Sequence, residues 1–393
     1  MGIRILHTAE FYPPSVGGMQ EVVRQLSERL VKLGHEVTVA TTRLPARTEP
    51  RIGGVKIVEF NISGNAVSGM AGETRCYQDF VLNSDFDIIT NFAAQQWATD
   101  LMLPLLDRIK SKKVFVPTGF SGLYRPEYKG YFASMNTWMK KYDMNVFLSG
   151  NYRDIDYARR NGVARRTIIP NGAGEDEFLQ MTATDIRSRL KIPEGHFLIL
   201  HVGSHTGTKG HPEAIKIFQG ARIKWATMLI VANSLFGGCA RRCAARQRLF
   251  KLLPQRLFDG KQLIITSLTR EETVAAYREA DLFLFPSRIE CSPLVLFECM
   301  ASRTPFLTTD AGNAGEIIEW SGSGQLLPTE RDADGYCRAQ PEPSARLLES
   351  IYKQPDKRDA MQAAGFAAWQ ERFTWERIAR SYESLYLSLL DAS

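Results

Sequence analysis

The stretch HFLILHVGSHTGTKGH (196–211) decides the expected fold. Its first half is a run of apolar residues of the kind that forms a buried strand, and its second half is a turn rich in glycine. A helix is predicted to follow, from about His211 to Gln219. Strand, glycine-bearing turn and helix make up the repeating unit of a parallel α/β sheet with helices on both faces.

The same order occurs at the start of the chain. IRILHTA (3–9) is a predicted strand, and a loop with Pro-Pro and Gly-Gly leads into the amphipathic stretch MQEVVRQLSERLVKLG (19–34), where Gly34 is a C-terminal stop signal. HEVTVATT (35–42) is the next predicted strand. Further strands are predicted at 55–60, 86–92, 112–118, 145–150, 166–172, 227–233, 262–267 and 281–287.

Two successive doubly wound units therefore account for most of the 393 residues, more than one hydrophobic core usually supports. We expect a first domain over 1–183 and a second over 184–372. The closing stretch WERIARSYESLYLSLL (375–390) is periodic and predicts a helix, so 373–393 is treated as a separate C-terminal segment.

The composition is that of a folded, water-soluble protein. Hydrophobic residues make up 44% and charged residues 23% of the chain, and neither a signal peptide nor a membrane span is predicted. Of the six cysteines only Cys239 and Cys243 lie close together, and the paired spacings of a zinc site or a disulfide framework are missing. A reducing cytoplasm is the expected compartment.

The net charge of +6 is concentrated in two stretches, 151–166 and 239–256. Each is either a solvated face or a surface that attracts an anionic membrane or a phosphorylated lipid, since apolar side chains are interleaved with the cations. The second stretch contains Arg241, Arg242, Arg246 and Arg248. No motif supports binding of nucleic acid.

PSRIECSPLVLFECMA (286–301) places Glu290 and Glu298 in apolar surroundings. Burying a carboxylate costs several kcal/mol of folding free energy unless a cation or hydrogen-bond donors contact it. Ser292 is predicted as the N-cap and Pro293 as the first residue of a helix that reaches Ala301. The two acids could accept hydrogen bonds from a ligand's hydroxyls, or they could form structural ion pairs, Glu290 with Arg288 and Glu298 with a lysine.

Three turns carry glycine at a predicted helix start. One of them, DAGNAGEII (310–318), is by itself an N-terminal helix signal and no more. In the other two, PPSVGGMQ (13–20) and GSHTGTKGH (203–211), free amides and the helix dipole favour phosphate, although each alone is also explained as a tight strand-to-helix turn. The second is not a Walker A loop, because Thr208 precedes Lys209 and Gly210 follows it.

Taken in order, these pieces resemble the retaining glycosyltransferases of family 4, which have the GT-B fold of two facing Rossmann-like domains with the site in the cleft between them. The resemblance spans nearly the whole chain. It rests on FYPPSVGGMQE, IIPNGAGEDEF (168–178), HVGSHTGTKG, FPSRIECSPLVLFECMASRTPFLTTDAGNAGEII and the closing helix, which in this family crosses back to the first domain. It implies transfer of a sugar from a nucleotide-sugar with the anomeric configuration kept, without a metal ion or other cofactor.

The resemblance also implies roles for single residues. Glu298 matches the acid that binds the ribose hydroxyls, Glu290 the acid that faces the transferred sugar, and Lys209 the lysine that holds the diphosphate. Glu290 and Lys209 are therefore the expected catalytic residues. The remaining donor-binding positions implied by the family are Gly17, Gly18, Gly203, Ser204, His205, Cys291 and Ser292, and those expected on the sugar or acceptor side are Thr118, Gly119 and Asn171.

Two positions depart from the family pattern. Ser204 stands where the family usually has an arginine, with His205 as the nearest substitute, and Thr118 stands where many members have a histidine. Both changes bear on how the donor is held.

The resulting hypothesis is a cytoplasmic transferase, peripheral at the inner face of the membrane, that extends a glycan or lipid-linked oligosaccharide in bacterial lipopolysaccharide, O-antigen or capsule synthesis. The alternatives are a non-catalytic subunit that binds nucleotide-sugar or glycan, and a nucleotide-sugar epimerase of the same fold. An NAD-dependent oxidoreductase is disfavoured because no G-x-G-x-x-G follows the first strand.

Overall fold

The computed structural model describes residues 2–180, 184–232, 237–252 and 259–392. The chain divides into two compact units. The first comprises Met1–Asn171 together with Trp375–Ser393, and the second comprises Gly172–Thr374. The predicted boundary between 183 and 184 touches residues outside the described part.

The first unit is built on a sheet of eight strands in the order β10-β9-β8-β7-β1-β2-β4-β3, in which the pairs are parallel except β3 with β4. A small hairpin, β5 with β6, stands apart from it. The strands are β1 Arg4–Thr8, β2 Glu36–Thr42, β3 Arg51–Ile52, β4 Val55–Phe60, β5 Ile62–Asn65, β6 Gly69–Gly72, β7 Ile88–Phe92, β8 Lys112–Val116, β9 Met144–Phe147 and β10 Arg166–Ile168. The helices are α1 Gly18–Lys32, α2 Thr74–Asn83, α3 Trp97–Asp100, α4 Lys129–Lys141, α5 Arg153–Arg160 and the C-terminal helix Trp375–Asp391.

The second unit is built on a fully parallel sheet of six strands in the order β13-β12-β11-β14-β15-β16, with a separate hairpin of β17 and β18. Its strands are β11 Phe197–Val202, β12 Ala226–Val231, β13 Gln262–Thr266, β14 Leu282–Phe285, β15 Phe306–Thr308, β16 Gly324–Leu326, β17 Thr329–Arg331 and β18 Cys337–Ala339. Its helices are α6 Glu175–Phe178, α7 Ile186–Arg189, α8 His211–Gly220, α9 Gly237–Leu252, α10 Arg270–Glu279, α11 Leu294–Ala301, α12 Ala314–Ser321, α13 Pro341–Tyr352 and α14 Pro355–Ala368.

Alternating side chains of β11 face opposite sides of the second sheet. Leu198 and Leu200 belong to one buried cluster and Phe197 and Ile199 to the other, each continued by helix residues. A parallel sheet covered on both faces explains why this strand reads as a continuous apolar run.

Each sheet reverses its strand order at one place, between β1 and β7 in the first unit and between β11 and β14 in the second. In open parallel sheets ligands bind beyond the carboxyl ends of the strands at such a switch point. The loops that follow these four strands are therefore where a ligand site is expected in each unit.

All strands predicted from the sequence have counterparts in the described residues, except that residue 233, the last of the predicted strand 227–233, lies outside them. The sequence analysis missed β3, β15 and β16 as well as both hairpins. These strands have two to four residues each, too short to show a period in the sequence.

Helix α1 ends as the sequence predicts, at a glycine. Gly34 adopts a positive φ of 95°, and the N–H groups of Gly34 and His35 donate to the carbonyls of Val31 and Leu30. This is the Schellman arrangement, which satisfies the last carbonyls of a helix. It also positions His35, whose ring accepts from the Ile3 N–H at 3.2 Å and contacts Glu383 of the C-terminal helix at 3.0 Å.

His7 lies in the centre of the first unit and is fully buried. Its Nδ1 lies 2.8 Å from Ser27 Oγ of α1 and its Nε2 lies 3.3 Å from Tyr386 Oη of the C-terminal helix. Tyr386 Oη in turn lies 2.7 Å from Thr90 Oγ1 of β7. One polar network thus joins β1, β7, α1 and the C-terminal helix, and burial lowers the pKa of His7 to about 3.

We predict that His7 makes the first unit sensitive to acid. Its folded pKa lies below the ordinary value, so its contribution to stability is complete above pH 6.5 and is lost as the pH falls toward 3. Between pH 6.5 and 4.5 this amounts to about 2 to 3 kcal/mol of unfolding free energy. Urea unfolding at a series of pH values should show a shallower acid loss for His7→Gln than for the natural protein. Equal slopes for the two proteins would contradict the assignment.

Among the described residues no helix combines the length and the apolar character needed to cross a bilayer.

Candidate functional site

Two loops meet at the switch point of the second sheet. The lysine loop (residues 203–210) follows β11, and the glutamate loop (residues 286–293) follows β14. The Arg288 N–H donates to the Thr208 carbonyl at 2.8 Å, and Ser287 Oγ lies 3.2 Å from the same carbonyl oxygen. The two loops are therefore held together through their backbones.

Gly210 permits this approach. It has a positive φ of 74°, and a Cβ in its place would lie 1.9 Å from the Pro286 carbonyl oxygen. Gly203, at the other end of the lysine loop, packs so closely that a Cβ would lie 3.1 Å from the Lys209 side chain. Gly210 is thus required by a neighbouring backbone atom, whereas a side chain at position 203 would need the Lys209 side chain to shift by a few tenths of an ångström.

Lys209 and Glu290 form an ion pair between the two loops. Lys209 Nζ donates to Glu290 Oε1 at 2.7 Å, and Ser287 Oγ donates to the same oxygen at 2.6 Å. The Glu290 side chain is 11% exposed and the Lys209 side chain 28% exposed. Lys209 Nζ also lies 5.9 Å from the centre of the Phe285 ring. The two residues that the resemblance marks as catalytic are therefore in direct contact.

Glu298 is buried in α11 and is paired with an arginine. Arg270 Nη1, at the start of α10, donates to Glu298 Oε1 at 2.6 Å, while the same guanidinium makes two contacts with Glu177 at 2.7 and 3.1 Å. One guanidinium therefore serves two carboxylates. The proximity of Glu298, after burial itself, also raises the pKa of the buried Tyr277 hydroxyl.

The helix that carries Glu298 starts later than predicted. The sequence analysis placed Ser292 at the N-cap and Pro293 as the first helical residue, but Pro293 is itself the N-cap and α11 begins at Leu294. The reason is local, because Pro293 has an extended ψ of 114°, which keeps it outside the helix. The predicted end at Ala301 and the place of Glu298 in the second turn are confirmed.

The segment of Cys291 and Ser292 packs against the loop before α12. The Asn313 N–H donates to the Cys291 carbonyl at 2.9 Å. Gly312 has a positive φ of 64°, and a Cβ there would lie 2.4 Å from that carbonyl oxygen. The glycine-bearing turn at 310–318 thus supports the glutamate loop.

Ser204 and His205 lie at the start of the lysine loop. The Ser204 carbonyl accepts from the Thr206 N–H at 2.7 Å. The His205 ring stacks on His211 with ring centres 4.4 Å apart, and burial lowers the pKa of His205. His205 is therefore packed against the first residue of α8.

The predicted residues of the first unit lie at three places. Gly17 and Gly18 are the N-cap and first residue of α1, and Asn171 is buried after β10. Thr118 and Gly119 follow β8 with positive φ of 57° and 101°. The Gly119 N–H donates to Asp154 Oδ2 at 2.9 Å.

The loops after β7 and β8 hold unusual backbone conformations. Positive φ occurs at the non-glycine residues Ala93, Gln95, Thr118 and Phe120. Each such residue costs of the order of 1 to 3 kcal/mol, and residues of this kind concentrate at functional sites. β7 borders the switch point of the first sheet.

Buried acids near these loops were not found from the sequence. Asp154 is 1% exposed, and burial raises its pKa to about 6. Asp100 accepts from Tyr131 Oη at 2.7 Å and from the Ala66 N–H at 2.9 Å, and burial raises its pKa as well. Burial, followed by the nearby Asp100, raises the pKa of Glu10. In the sequence Asp154 lies in the basic stretch 151–166, which the sequence analysis interpreted only as a charged surface. The helical spacing of Asp154, Ile155 and Ala158 was a signal that these three residues share the buried face of a helix.

Arg270 was missed too, although a signal for it exists. Thr269 and Glu272 form a capping box, in which the Thr269 side chain accepts from the Glu272 N–H and the Glu272 side chain accepts from the Thr269 N–H. The pattern Thr-x-x-Glu marks a helix start, and Arg270 is the first residue of that helix. The sequence could thus have located α10, but not the acids that Arg270 meets.

The predicted membrane-facing arginines lie on α9. The side chains of Arg241, Arg242, Arg246 and Arg248 are exposed, as are Leu249 and Leu252 on the same helix. Residues 253–258 of the second basic stretch lie outside the described part.

Family models match both units. The model described as Glycosyltransferase Family 4 matches residues 16–177, and the one described as Glycosyl transferases group 1 matches residues 182–367. The chain belongs to the glycosyltransferases of family 4. The resemblance stated from the sequence is therefore confirmed.

Single proteins agree with the family. The chain is 27% identical over 241 residues to the D-inositol 3-phosphate glycosyltransferase of Corynebacterium urealyticum, covering 60% of this chain and 54% of that protein. It is 22% identical over 246 residues to the lipopolysaccharide 1,2-N-acetylglucosaminetransferase of Salmonella typhimurium, covering 61% of each. The chain thus spans only about half to three fifths of the length of these relatives.

A solved structure shares the fold over nearly the whole chain. HepE of Anabaena, solved in complex with UDP and glucose, superposes with a TM-score of 0.73 at 15% identity, covering 98% of this chain and 100% of that one. The predicted GT-B fold class, with two Rossmann-like domains, is confirmed. The cleft between the domains and the roles of the site residues stay predictions.

We predict that the energetic cost of a side chain crowded against Pro286 at position 210 can be measured separately from the cost of the positive φ there. Gly207 in the same loop also has a positive φ, 87°, but no heavy atom lies within 4 Å of a Cβ built there. Gly207→Ala should therefore cost about 1 kcal/mol for the backbone alone, and Gly210→Ala at least about 2 kcal/mol more because the Pro286 carbonyl must move. Thermal and urea unfolding measure both variants. Equal losses would mean that the two loops do not meet as described.

Proposed function

We propose that this chain transfers a sugar from a nucleotide-sugar to an acceptor, and that the lysine and glutamate loops hold the donor. The observation that supports it most directly is the contact of Lys209 with Glu290 beyond the carboxyl ends of β11 and β14. This is the place in an open parallel sheet where a nucleotide is expected. The family to which the chain belongs and the UDP bound by the HepE structure support the same ligand class.

Lys209 is suited to stabilise a leaving diphosphate. An ammonium group has three N–H donors, and Glu290 accepts from one of them. The others can meet phosphate oxygens, so the cation can act on the bond that breaks while remaining oriented by the glutamate. In the proposed reaction the bond between the anomeric carbon and the phosphate oxygen breaks, the bond to the acceptor oxygen forms, and the acceptor's proton passes to the departing phosphate.

Glu298 is proposed to accept hydrogen bonds from the ribose hydroxyls. A carboxylate has two oxygens with about four acceptor positions. Arg270 donates to Oε1, so the guanidinium stabilises the buried charge without using all of these positions. A structural ion pair and a ligand contact are therefore compatible at this residue.

The finer assignments belong to the same proposal. Retention of the anomeric configuration and independence of metal ions follow the family pattern. A lipid-linked or glycan acceptor in bacterial surface polysaccharide synthesis is supported by the similarity to a lipopolysaccharide transferase. Another relative is named for a different acceptor, D-inositol 3-phosphate.

One observation favours a second candidate, a non-catalytic subunit that binds a nucleotide-sugar. Ser204 stands where the family pattern has an arginine, and the remaining cation of the lysine loop is paired with Glu290. Release of nucleotide from the cognate donor in the absence of acceptor separates the two, because only an enzyme should hydrolyse the donor slowly.

We predict different losses for the two site residues. A thermal-shift panel of UDP-, GDP-, dTDP- and ADP-sugars first identifies the donor, since a ligand of the folded state raises its stability. Lys209→Ala should then lower donor hydrolysis and transfer at least about a hundredfold, the range found when one stabilising donor is removed. Glu298→Ala should weaken donor binding about tenfold or more, since the ribose loses its acceptor.

Matched controls are available on the same unit. Lys216→Ala on α8 and Glu319→Gln on α12 change exposed residues of the same charge and should leave both measurements as they were. Normal kinetics in both Lys209→Ala and Glu298→Ala, with a donor known to bind, would falsify the site.

We also propose that α9 docks on an anionic membrane. Four exposed arginines share this helix with Leu249, 38% exposed, and Leu252, 81% exposed. Cations near an anionic bilayer contribute roughly 1 kcal/mol each, and apolar side chains can enter the headgroup region.

We predict that changing Arg241, Arg242, Arg246 and Arg248 to Glu lowers binding to vesicles of phosphatidylglycerol and phosphatidylcholine at least about a hundredfold. Co-sedimentation measures this, with pure phosphatidylcholine as the uncharged surface. The control reverses four exposed cations of the first unit, Lys56, Arg108, Lys110 and Lys140. Unchanged vesicle binding by the α9 variant, or an equal loss in the control, would remove the docking proposal.

A further inference from the structure

Three histidines and two cysteines pack together behind the lysine loop. We call them the histidine–cysteine cluster, which consists of His201 on β11, His205 in the loop, His211 at the start of α8, and Cys239 and Cys243 on α9. The ring centres of His201 and His211 are 4.6 Å apart, and those of His205 and His211 are 4.4 Å apart. The proposed transfer reaction uses neither cysteine.

Three of these residues converge with atoms that can bind a metal ion. A ring nitrogen of His205 and the sulfurs of Cys239 and Cys243 all lie within 4.8 Å of one another. The two cysteines are one helical turn apart, so their sulfurs project from the same face of α9. Tetrahedral zinc, with bonds of roughly 2.0 to 2.3 Å, holds its ligand atoms roughly 3.3 to 3.8 Å apart. Small side-chain rotations would close the difference.

His205 has ring nitrogens that lack hydrogen-bond partners. Both nitrogens are buried, and neither has a partner among the residues that the structure describes. Buried polar atoms of native proteins are nearly always paired, so such a group calls for an explanation. A metal ion bound by one of the nitrogens would provide one.

His211 is oriented as a metal-binding histidine usually is. Its Nε2 lies 3.0 Å from the Gly203 carbonyl oxygen, which can only accept, so Nε2 carries the proton. Nδ1 is then unprotonated, and it lies 3.9 Å from Cys239 Sγ. Ligating histidines characteristically donate their other N–H to a carbonyl in this way, which fixes the tautomer and the ring.

We infer that Cys239, Cys243 and His205, with His211 as the fourth ligand, form a binding site for a zinc ion. Two thiolates and two imidazoles in a small, largely buried space are the ligand set that zinc prefers among the divalent ions. The spacing rules applied to the sequence could not find it, because the two histidines, one in the lysine loop and one at the start of α8, lie about 30 residues before the cysteines.

Such an ion would be structural. It would join α9 to the lysine loop and to the start of α8, all within the second unit, while Lys209 points to Glu290 on the other loop. The inference rests on the ligand geometry and is independent of whether the chain transfers sugar. The expectation that the transfer chemistry needs no metal ion is a separate prediction.

The test uses the full chain, free of affinity tags, reduced with a phosphine and stripped of metal by a chelator. Titration with Co²⁺ should yield one equivalent bound, with the visible bands of tetrahedral cobalt and a near-ultraviolet thiolate-to-metal charge-transfer band, both removed by one equivalent of Zn²⁺. Zinc at about a hundredfold excess over its dissociation constant should raise the melting temperature by about 5 °C or more.

Variants identify the ligands. Cys239→Ser and Cys243→Ser should each abolish or weaken Co²⁺ binding by about a hundredfold or more, since removal of an outer-shell partner alone costs 10- to 100-fold. His205→Gln should do the same while keeping a charge-transfer band at high Co²⁺. Cys76→Ser, at an exposed free cysteine of the first unit, is the matched control and should bind as the natural protein does.

The natural protein alone can overturn the inference. If the reduced chain binds Co²⁺ without a charge-transfer band, or does not bind it, the cluster is not a thiolate metal site, whatever the folding of the variants. Retention of full affinity in both serine variants has the same consequence. If the two thiols instead form a disulfide on mild oxidation and the reduced protein binds no metal, they are a redox pair and the zinc site is wrong.

Discussion

The candidate site depends on the contact between the lysine loop and the glutamate loop. Lys209 and Glu290 are 81 positions apart in the chain, yet they meet because β11 and β14 are neighbours in the second sheet. Their approach requires that position 210 has no side chain, since the Pro286 carbonyl occupies that space. Strand order and one glycine therefore bring together a cation and an anion that would otherwise be separate surface charges. A pair held in this way keeps the ammonium oriented before any ligand arrives.

The sequence predicted the local elements well for a physical reason. Buried strands of a parallel sheet are apolar throughout, and the turns into helices need glycine, so both appear as contiguous patterns. The strands before and after each switch point, the end of α1 at Gly34 and the place of Glu298 in α11 were accessible in this way. Short strands such as β15 and β16 were not, because three residues do not show a period.

The partners of the charged residues could not be predicted, because they depend on which strands become neighbours. The sequence analysis offered Arg288 for Glu290 and a lysine for Glu298. In the structure Lys209 holds Glu290 and Arg270 holds Glu298, while Arg288 faces Asp332 at 3.3 Å. Each partner lies at least 28 positions away along the chain. Both buried acids do have specific ion-pair partners, as expected. Which residues those partners are depends on the strand order of the sheet.

The lysine loop is held by contacts on two sides. On the side of β14, Lys209 contacts Glu290. On the side of α9, His205 packs against His211 near the two cysteines. A loop held on only one side could move the lysine by more than the tolerance of phosphate binding, which is a fraction of an ångström for a well-placed group. Gly207 lies between these attachments, and none of the described residues has a heavy atom within 4 Å of a Cβ built there. Rigidity on the cysteine side of this loop would thus determine how well the ammonium is placed on the glutamate side, even though no atom of the cluster needs to touch a substrate.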